Sequence, residues 1–368
     1  MLPPSTPDHL KSLAPRATQP PKCSSPPTTT SYNTPLHILA LFLILLCGTT
    51  ACLLPTLTRP HPRLSISRHA LFISRHFGTG VLIALAFCHL LPTAFENLWN
   101  ECLPHVWREG YAAMPGCIAM VGALAVAGVE MGFELRGVRC ACAVEGVGGG
   151  DDESGRQMKQ TTQVCATGNE RAADLICPCE TSDDRGSQSD SVEAQSDTLT
   201  AQQADQRRIL QCLLLEAGIL FHSVFIGLSI SLSTGTTFIA LMVAIAIHQI
   251  FEGRGLGARI AGIERFSVRS VKPWGMAFAY GLTCPLGQAI GLGLRKTYDP
   301  EGTTALLVVG VANAISAGMI LYAGLVQLLG EDLLSEKSYA TLSTRSRLEA
   351  VAALVFGCGI MAAMATWA

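Results

Sequence analysis

Long apolar stretches alternate with short polar links over most of this chain. Each apolar stretch is long enough to cross a hydrocarbon core about 30 Å thick as an α-helix, which takes roughly 17–25 residues. Eight such stretches stand near residues 36–57, 77–98, 113–133, 209–232, 237–256, 274–294, 305–329 and 348–367. The pattern predicts an all-α polytopic membrane protein with eight transmembrane helices. Two regions break it. Residues 1–35 hold nine of the nineteen prolines, many Ser and Thr, and no apolar run. They are expected to form an extended, disordered tail. They also lack the apolar centre of a cleavable signal peptide, so the first spanning helix is expected to do the targeting. Residues 134–208 carry Gly148-Gly149-Gly150, scattered acids and a run rich in Ser, Gln and Asp. They read as a mostly disordered linker between helices 1–3 (36–133) and helices 4–8 (209–368). Three helices before it and five after fit a three-plus-two-plus-three arrangement.

Composition agrees with the pattern. Only 15% of the 368 residues are charged, against about a quarter in soluble domains, and mean hydropathy is +0.36. A net charge of -2 gives no reason to expect nucleic acid. Fourteen scattered cysteines are too few for a disulfide scaffold.

Arg and Lys in short loops set orientation. Arg59, Arg63, Arg68 and Arg75 follow the first stretch, Arg254, Arg259, Arg265, Arg269 and Lys272 the fifth, and Lys337, Arg345 and Arg347 the seventh. The intervening loops hold only Arg108, none, and Arg295 with Lys296. With the basic loops and residues 134–208 cytoplasmic, both termini are expected on the opposite side.

The costly residues lie between 209 and 253. His222-Ser223 is set in the fourth stretch and His248-Gln249-Ile250-Phe251-Glu252-Gly253 in the fifth. At about 1.5 Å rise per residue, His222 and His248 are both roughly 15–17 Å deep. A short link makes their helices antiparallel neighbours. His248 and Glu252 are four apart, on one helix face. Imidazole and carboxylate suit zinc, and also iron or manganese. The expected metal ligands are therefore His222, His248 and Glu252, with Ser223, Gln249 and Cys284 as weak ligands or groups that orient ligands. Polar residues that only bond helix to helix are the competing reading. Matched depth of two His and one Glu favours ligation. His89, in Phe87-Cys88-His89-Leu90-Leu91-Pro92, and Glu96 near the outer end of the second helix are candidates for an approach pathway. Glu216, nearer the cytoplasmic end, is a candidate for the exit, against a plain helix–helix contact. Cys140-Ala141-Cys142 and Cys177-Pro178-Cys179 are thiol pairs that could sense or hand off metal. Their spacing is one residue short of the usual zinc pair. Reduced cysteines in a disordered loop are the plainer reading.

At these residues the chain resembles the ZIP (Zrt-, Irt-like) family of metal transporters, the fungal and plant type in particular. The matching pieces are His222-Ser223-Val224 with Gly227, His248 through Gly253, Phe87 through Pro92 with Ala94-Phe95-Glu96, Thr283-Cys284-Pro285-Leu286-Gly287 and Ser316-Ala317-Gly318. The resemblance implies a carrier that moves Zn(II) or Fe(II) into the cytoplasm, with the ion between the fourth and fifth helices. It also implies elevator-like movement of one helix group against the other, often in a homodimer. Two departures stand out. Residues 134–208 contain no histidine, a feature many relatives have there. The positions one and four residues after His222 are Ser223 and Ile226, which argues for one principal ion.

The chain is expected to be a secondary carrier in a lipid bilayer with Zn(II) as substrate, Fe(II) or a broader divalent range as the alternative, and no permanent cofactor. No phosphate-cradling Gly-rich loop stands in the sequence. An intramembrane zinc hydrolase would need a base besides Glu252, and a metal-sensing receptor would act through the cysteine loop. The plasma membrane is the expected residence, with a vacuolar or other organelle membrane as the alternative.

Overall fold

The structure, a computed structural model, describes residues 23, 32–58, 67–141, 190–263, 266, 270–295 and 302–366; of 108, 134–141, 190–205 and 337 it describes the backbone alone. Eight helices are long and apolar enough to span a membrane, and no strand occurs among the described residues. They are α1 Thr34–Thr58, α2 Arg68–Leu98, α3 Met114–Ala141 and α4 Asp190–Leu232. Then follow α5 Gly235–Gly262, α6 Lys272–Leu294, α7 Thr303–Tyr322 and α8 Thr344–Met364. Large apolar side chains such as Leu39, Phe42, Leu46, Met120, Leu124, Val355 and Phe356 point outward. Lipid accepts them, whereas water would not.

Local chemistry accounts for the helix ends. Ser67 and Ser343 cap α2 and α8, each accepting a backbone N–H three residues on. Gly235 turns the chain from α4 into α5 with φ 65°, a left-handed conformation that favours glycine. Two helices widen into π-helical turns. One is Leu85–Leu90 inside α2, and the other, Ala323–Leu334, continues α7. Such turns inside a helix often mark functional positions.

Several boundaries differ from the sequence expectation. The second helix starts nine residues before the expected Phe77, at Arg68, and α5 runs on to Gly262. Arg75 and Arg259, which the pattern placed in loops, are therefore helical. Helical backbone also covers 134–141 and 190–208, inside the stretch read as a linker.

Packing follows two groups rather than chain order. In one, α1 lies against α5 and α6, and α4 lies against α6; in the other, α2 packs on α8 and α7, and α3 packs on α7. Glycines let backbones touch within each group, as is usual where small residues replace the hydrophobic effect as the means of helix association. A Cβ on Gly227 would strike the Cys284 carbonyl and one on Gly287 the Val224 carbonyl, joining α4 to α6. Gly80 and Gly357 meet Leu354 and Phe77 in the same reciprocal way between α2 and α8. The groups meet where α2 crosses α5, at Gly78 against Gly255, and where α4 crosses α7. Although consecutive, α4 and α5 have few close backbone approaches.

The chain segments between helices define two ends. Cys23, Cys102, Ser233 and Arg295 lie at one, which carries a Cys23–Cys102 disulfide. From the other end leaves the segment 142–189.

Candidate metal centre

Facing parts of α4 and α5 carry the residues the sequence singles out. His222, His248 and Glu252 are each 1% exposed. A third imidazole joins them. His89 comes from the π turn of α2, where the widened winding and Pro92 three residues on set its position. Ring centres are 5.6 Å apart for His89–His222, 6.0 Å for His89–His248 and 6.2 Å for His222–His248. His89, read from the sequence as an approach residue, thus stands beside His222 and His248.

The spacing can be compared with that of an occupied site. A zinc–nitrogen bond of about 2.1 Å puts each ring centre roughly 3.2 Å from the ion, hence about 5.2 Å from its neighbours in a tetrahedral arrangement. The three rings stand within about an ångström of that spacing, in an opened-out triangle. Among the described residues no group of three or more His, Cys, Asp or Glu side chains is arranged to hold a metal ion as it stands. His248 Nε2 and Glu252 Oε2 are 3.5 Å apart. Two ligands of one tetrahedral zinc would be separated by about 3.4 Å. No hydrogen bond forms between this pair, and His222 Nε2, His248 Nε2 and Glu252 Oε1 are all buried without a hydrogen-bond partner. Unsatisfied polar atoms in a membrane interior are costly. Three partnerless buried atoms on neighbouring side chains suit a cation.

Two further residues hold this set in place, and neither was expected. Asn313 of α7 presents Oδ1 3.2 Å from His222 Nδ1. Since a side-chain carbonyl oxygen only accepts, the imidazole N–H lies at Nδ1 and the free electron pair at Nε2. Tyr280 of α6 is fully buried, with its hydroxyl 2.7 Å from both the backbone carbonyl and Oε1 of Gln249, and 3.4 Å from Glu252 Oε2. Its one proton serves one acceptor at a time. Gln249 is thereby engaged with Tyr280 rather than with an ion, and Cys284 is buried beside Gln249. Ser223 is fully buried beside His222, its hydroxyl without a hydrogen-bond partner.

The remaining candidates lie elsewhere. Glu96 is exposed, near the disulfide end of α2. Glu216 is 4% exposed on the long-loop side of His222, and its Oε2 has no hydrogen-bond partner. Cys142, Cys177, Cys179 and the side chain of Cys140 lie outside the described residues.

Residues 34–365 match the family described as ZIP Zinc transporter. The chain is 31% identical over 339 residues to zinc-regulated transporter 1 of Saccharomyces cerevisiae, an alignment covering 91% of this chain and 88% of the yeast protein. It is 32% identical over 368 residues to zinc transporter 8 of Oryza sativa subsp. japonica, covering 90% and 88% of the two chains. Fe(2+) transport protein 2 of the same plant is 34% identical over 340 residues, with 90% and 86% covered.

Proposed function

The chain belongs to the ZIP family of zinc transporters, and from that premise we propose that it carries Zn(II) into the cytoplasm on His89, His222, His248 and Glu252. The observation that carries the site is the set of free ligand atoms at mid-depth: three imidazoles and a carboxylate facing one space with no partner of their own for His222 Nε2, His248 Nε2 and Glu252 Oε1. Fe(II) is the second reading, because imidazole and carboxylate accept it too and one relative is named for it.

In this reading the long-loop end is cytoplasmic, as the basic loops suggest, and both termini face away from it. A disulfide at the opposite end suits an oxidising exterior or lumen. The spans follow one another as three, two and three, and the ligand-bearing α4 and α5 are the central pair. Glu96 draws cations to the outer mouth, and Glu216 receives the ion after it leaves the histidines. The Cys140–Cys142 and Cys177–Cys179 pairs and the rest of 134–208 adjust activity rather than carry the ion. Release requires the group holding α4 and α5 to move against the group holding α2 and α7, because His89 and Asn313 belong to the second. The plasma membrane and a homodimer complete the proposal.

The test is metal accumulation in transporter-deficient cells. His222→Ala, His248→Ala and Glu252→Ala are each expected to remove nearly all zinc uptake at unchanged surface level, and His89→Ala most of it. Normal transport by any two of the first three would overturn the site. Competition of labelled zinc with Fe, Mn and Cd decides the metal.

A further inference from the structure

The polar clusters at the long-loop end have a common property: each includes bonds that join helices of opposite groups, through Arg259 of α5 in one and Gln211 and Arg207 of α4 in the other. There are two clusters. In the first, Asp332 of the α7 extension binds Arg75 of α2 through both carboxylate oxygens and accepts from Arg259 of α5 at 3.3 Å. Arg259, 9% exposed, also donates to Thr79 of α2 at 2.5 Å. In the second, Glu130 of α3 accepts from Gln211 of α4 at 2.8 Å, from Tyr322 at 3.0 Å and from Gln327 at 3.1 Å, both of the latter on α7 and its extension. Arg207 of α4 lies 3.4 Å from Glu130 and 2.9 Å from Glu331, which also accepts from Gln211 at 2.8 Å. Asp332, Glu331 and Gln327 all belong to the π-helical stretch Ala323–Leu334.

These bonds add to apolar packing across the same interface. Where α2 crosses α5, Gly78 meets Gly255 and the Phe77 ring stands edge-on to Phe251. Charged and amide groups at one end add to what fixes the two groups relative to each other. Where the partners are buried, as at Arg259 and Glu130, charge-assisted bonds strongly oppose loss of a partner. Behind them, towards the metal centre, lie Cys212 of α4 and Cys52 of α1, 7% and 0% exposed.

We propose that the Asp332 and Glu130 clusters form a two-part clasp that closes the carrier at its long-loop end, and that both parts must open for an ion to leave that way. The inference rests on the reading that the two helix groups move. Cys52 and Cys212 are built-in reporters, because opening the clasp exposes them to reagents from that side.

The experiment uses the full chain in sealed membrane vesicles with the long-loop end outward. An impermeant maleimide is added, and alkylation of Cys52 and Cys212 is read by peptide mass spectrometry. Asp332→Asn and Glu130→Gln each break one cluster with a near-isosteric amide. Labelling of Cys212, and of Cys52 behind it, is expected to rise about tenfold or more in each variant. Should Asp332→Asn fail to insert, Glu130→Gln decides alone. Unchanged labelling in an inserted variant that still binds zinc would overturn the clasp. If the clasp fails, labelling stays flat while uptake still depends on His222. If the proposed function fails, His222→Ala transports normally whatever the labelling.

Discussion

At the disulfide end the side-chain hydrogen bonds of α1 and Tyr32 tie helices of the same group to one another, whereas at the long-loop end bonds within a group are joined by others that tie one group to the other. Tyr32 donates to the Ser231 carbonyl at 2.7 Å, and His37 Nε2 lies 3.0 Å from the Ser233 carbonyl. Arg295 donates to Thr34 at 2.8 Å and sits over the Tyr32 ring. These bonds fasten α1 to the α4–α5 link and to α6, all in one group. The Asp332 and Glu130 clusters also reach across, to Arg259 of α5 and to Gln211 and Arg207 of α4. Polar bonds inside a group make it move as a unit, while those between groups resist movement. Between the ends stands the proposed metal centre, with His222, His248 and Glu252 from one group and His89 and Asn313 from the other. The proposed ligand set would thus be complete only in a particular alignment of the two groups.

The contrast can be broken in three places, with effects of decreasing size. Gly357→Val puts a branched side chain against the Phe77 carbonyl, where α2 and α8 touch inside one group. Overpacking of that kind costs about 1–3 kcal/mol or more. Most of the folded protein is expected to disappear from the membrane fraction, as measured by size-exclusion of the detergent extract. Asn313→Ala acts between the groups. The imidazole of His222 loses the partner that fixes its proton, and apparent zinc affinity is expected to weaken roughly 10- to 100-fold. The zinc concentration at half-maximal uptake measures it, with folded protein unchanged. Tyr32→Phe removes one bond within a group at the disulfide end. The expected loss is about 1 kcal/mol of stability, seen as a small fall in thermal midpoint. Cys212 labelling in that variant should match the parent. A rise there would mean that the two ends are coupled and the contrast too simple.

The eight spans, and the nearness of His222, His248 and Glu252 to one another, were legible in the sequence because their signals are local. Run length identifies a span, and depth plus a spacing of four residues identifies a shared face. His89 was visible as an unusual residue but was assigned to the approach. Its place in the centre depends on the π turn Leu85–Leu90 and on how α2 crosses the other group, and neither has a local signature. Asn313 was passed over because it sits among small residues that also suit close packing. Tyr280 was missed because an aromatic in an apolar helix reads as core. Asp332 and Glu130 gave no warning, since acids near helix ends are ordinarily solvated. Arg75 and Arg259 were counted as loop charges, and only the extended helices show them to be structural. Cys23 and Cys102 are separated by 79 positions, and no spacing rule pairs them.

The sharing of Asp332 has a consequence for leakage. Two guanidinium groups, Arg75 and Arg259, rely on one carboxylate, so the cluster keeps a formal positive charge, part of it on a buried side chain. A divalent cation arriving at this cluster while the clasp is shut meets local electrostatic rejection as well as a physical closure, whereas the second cluster, Glu130 and Glu331 with Arg207, keeps a formal negative charge. A small, fluctuating gap there would admit water far more readily than metal. The membrane potential, which pulls cations towards a negative interior, would then find no ready path for the cargo outside the transport cycle.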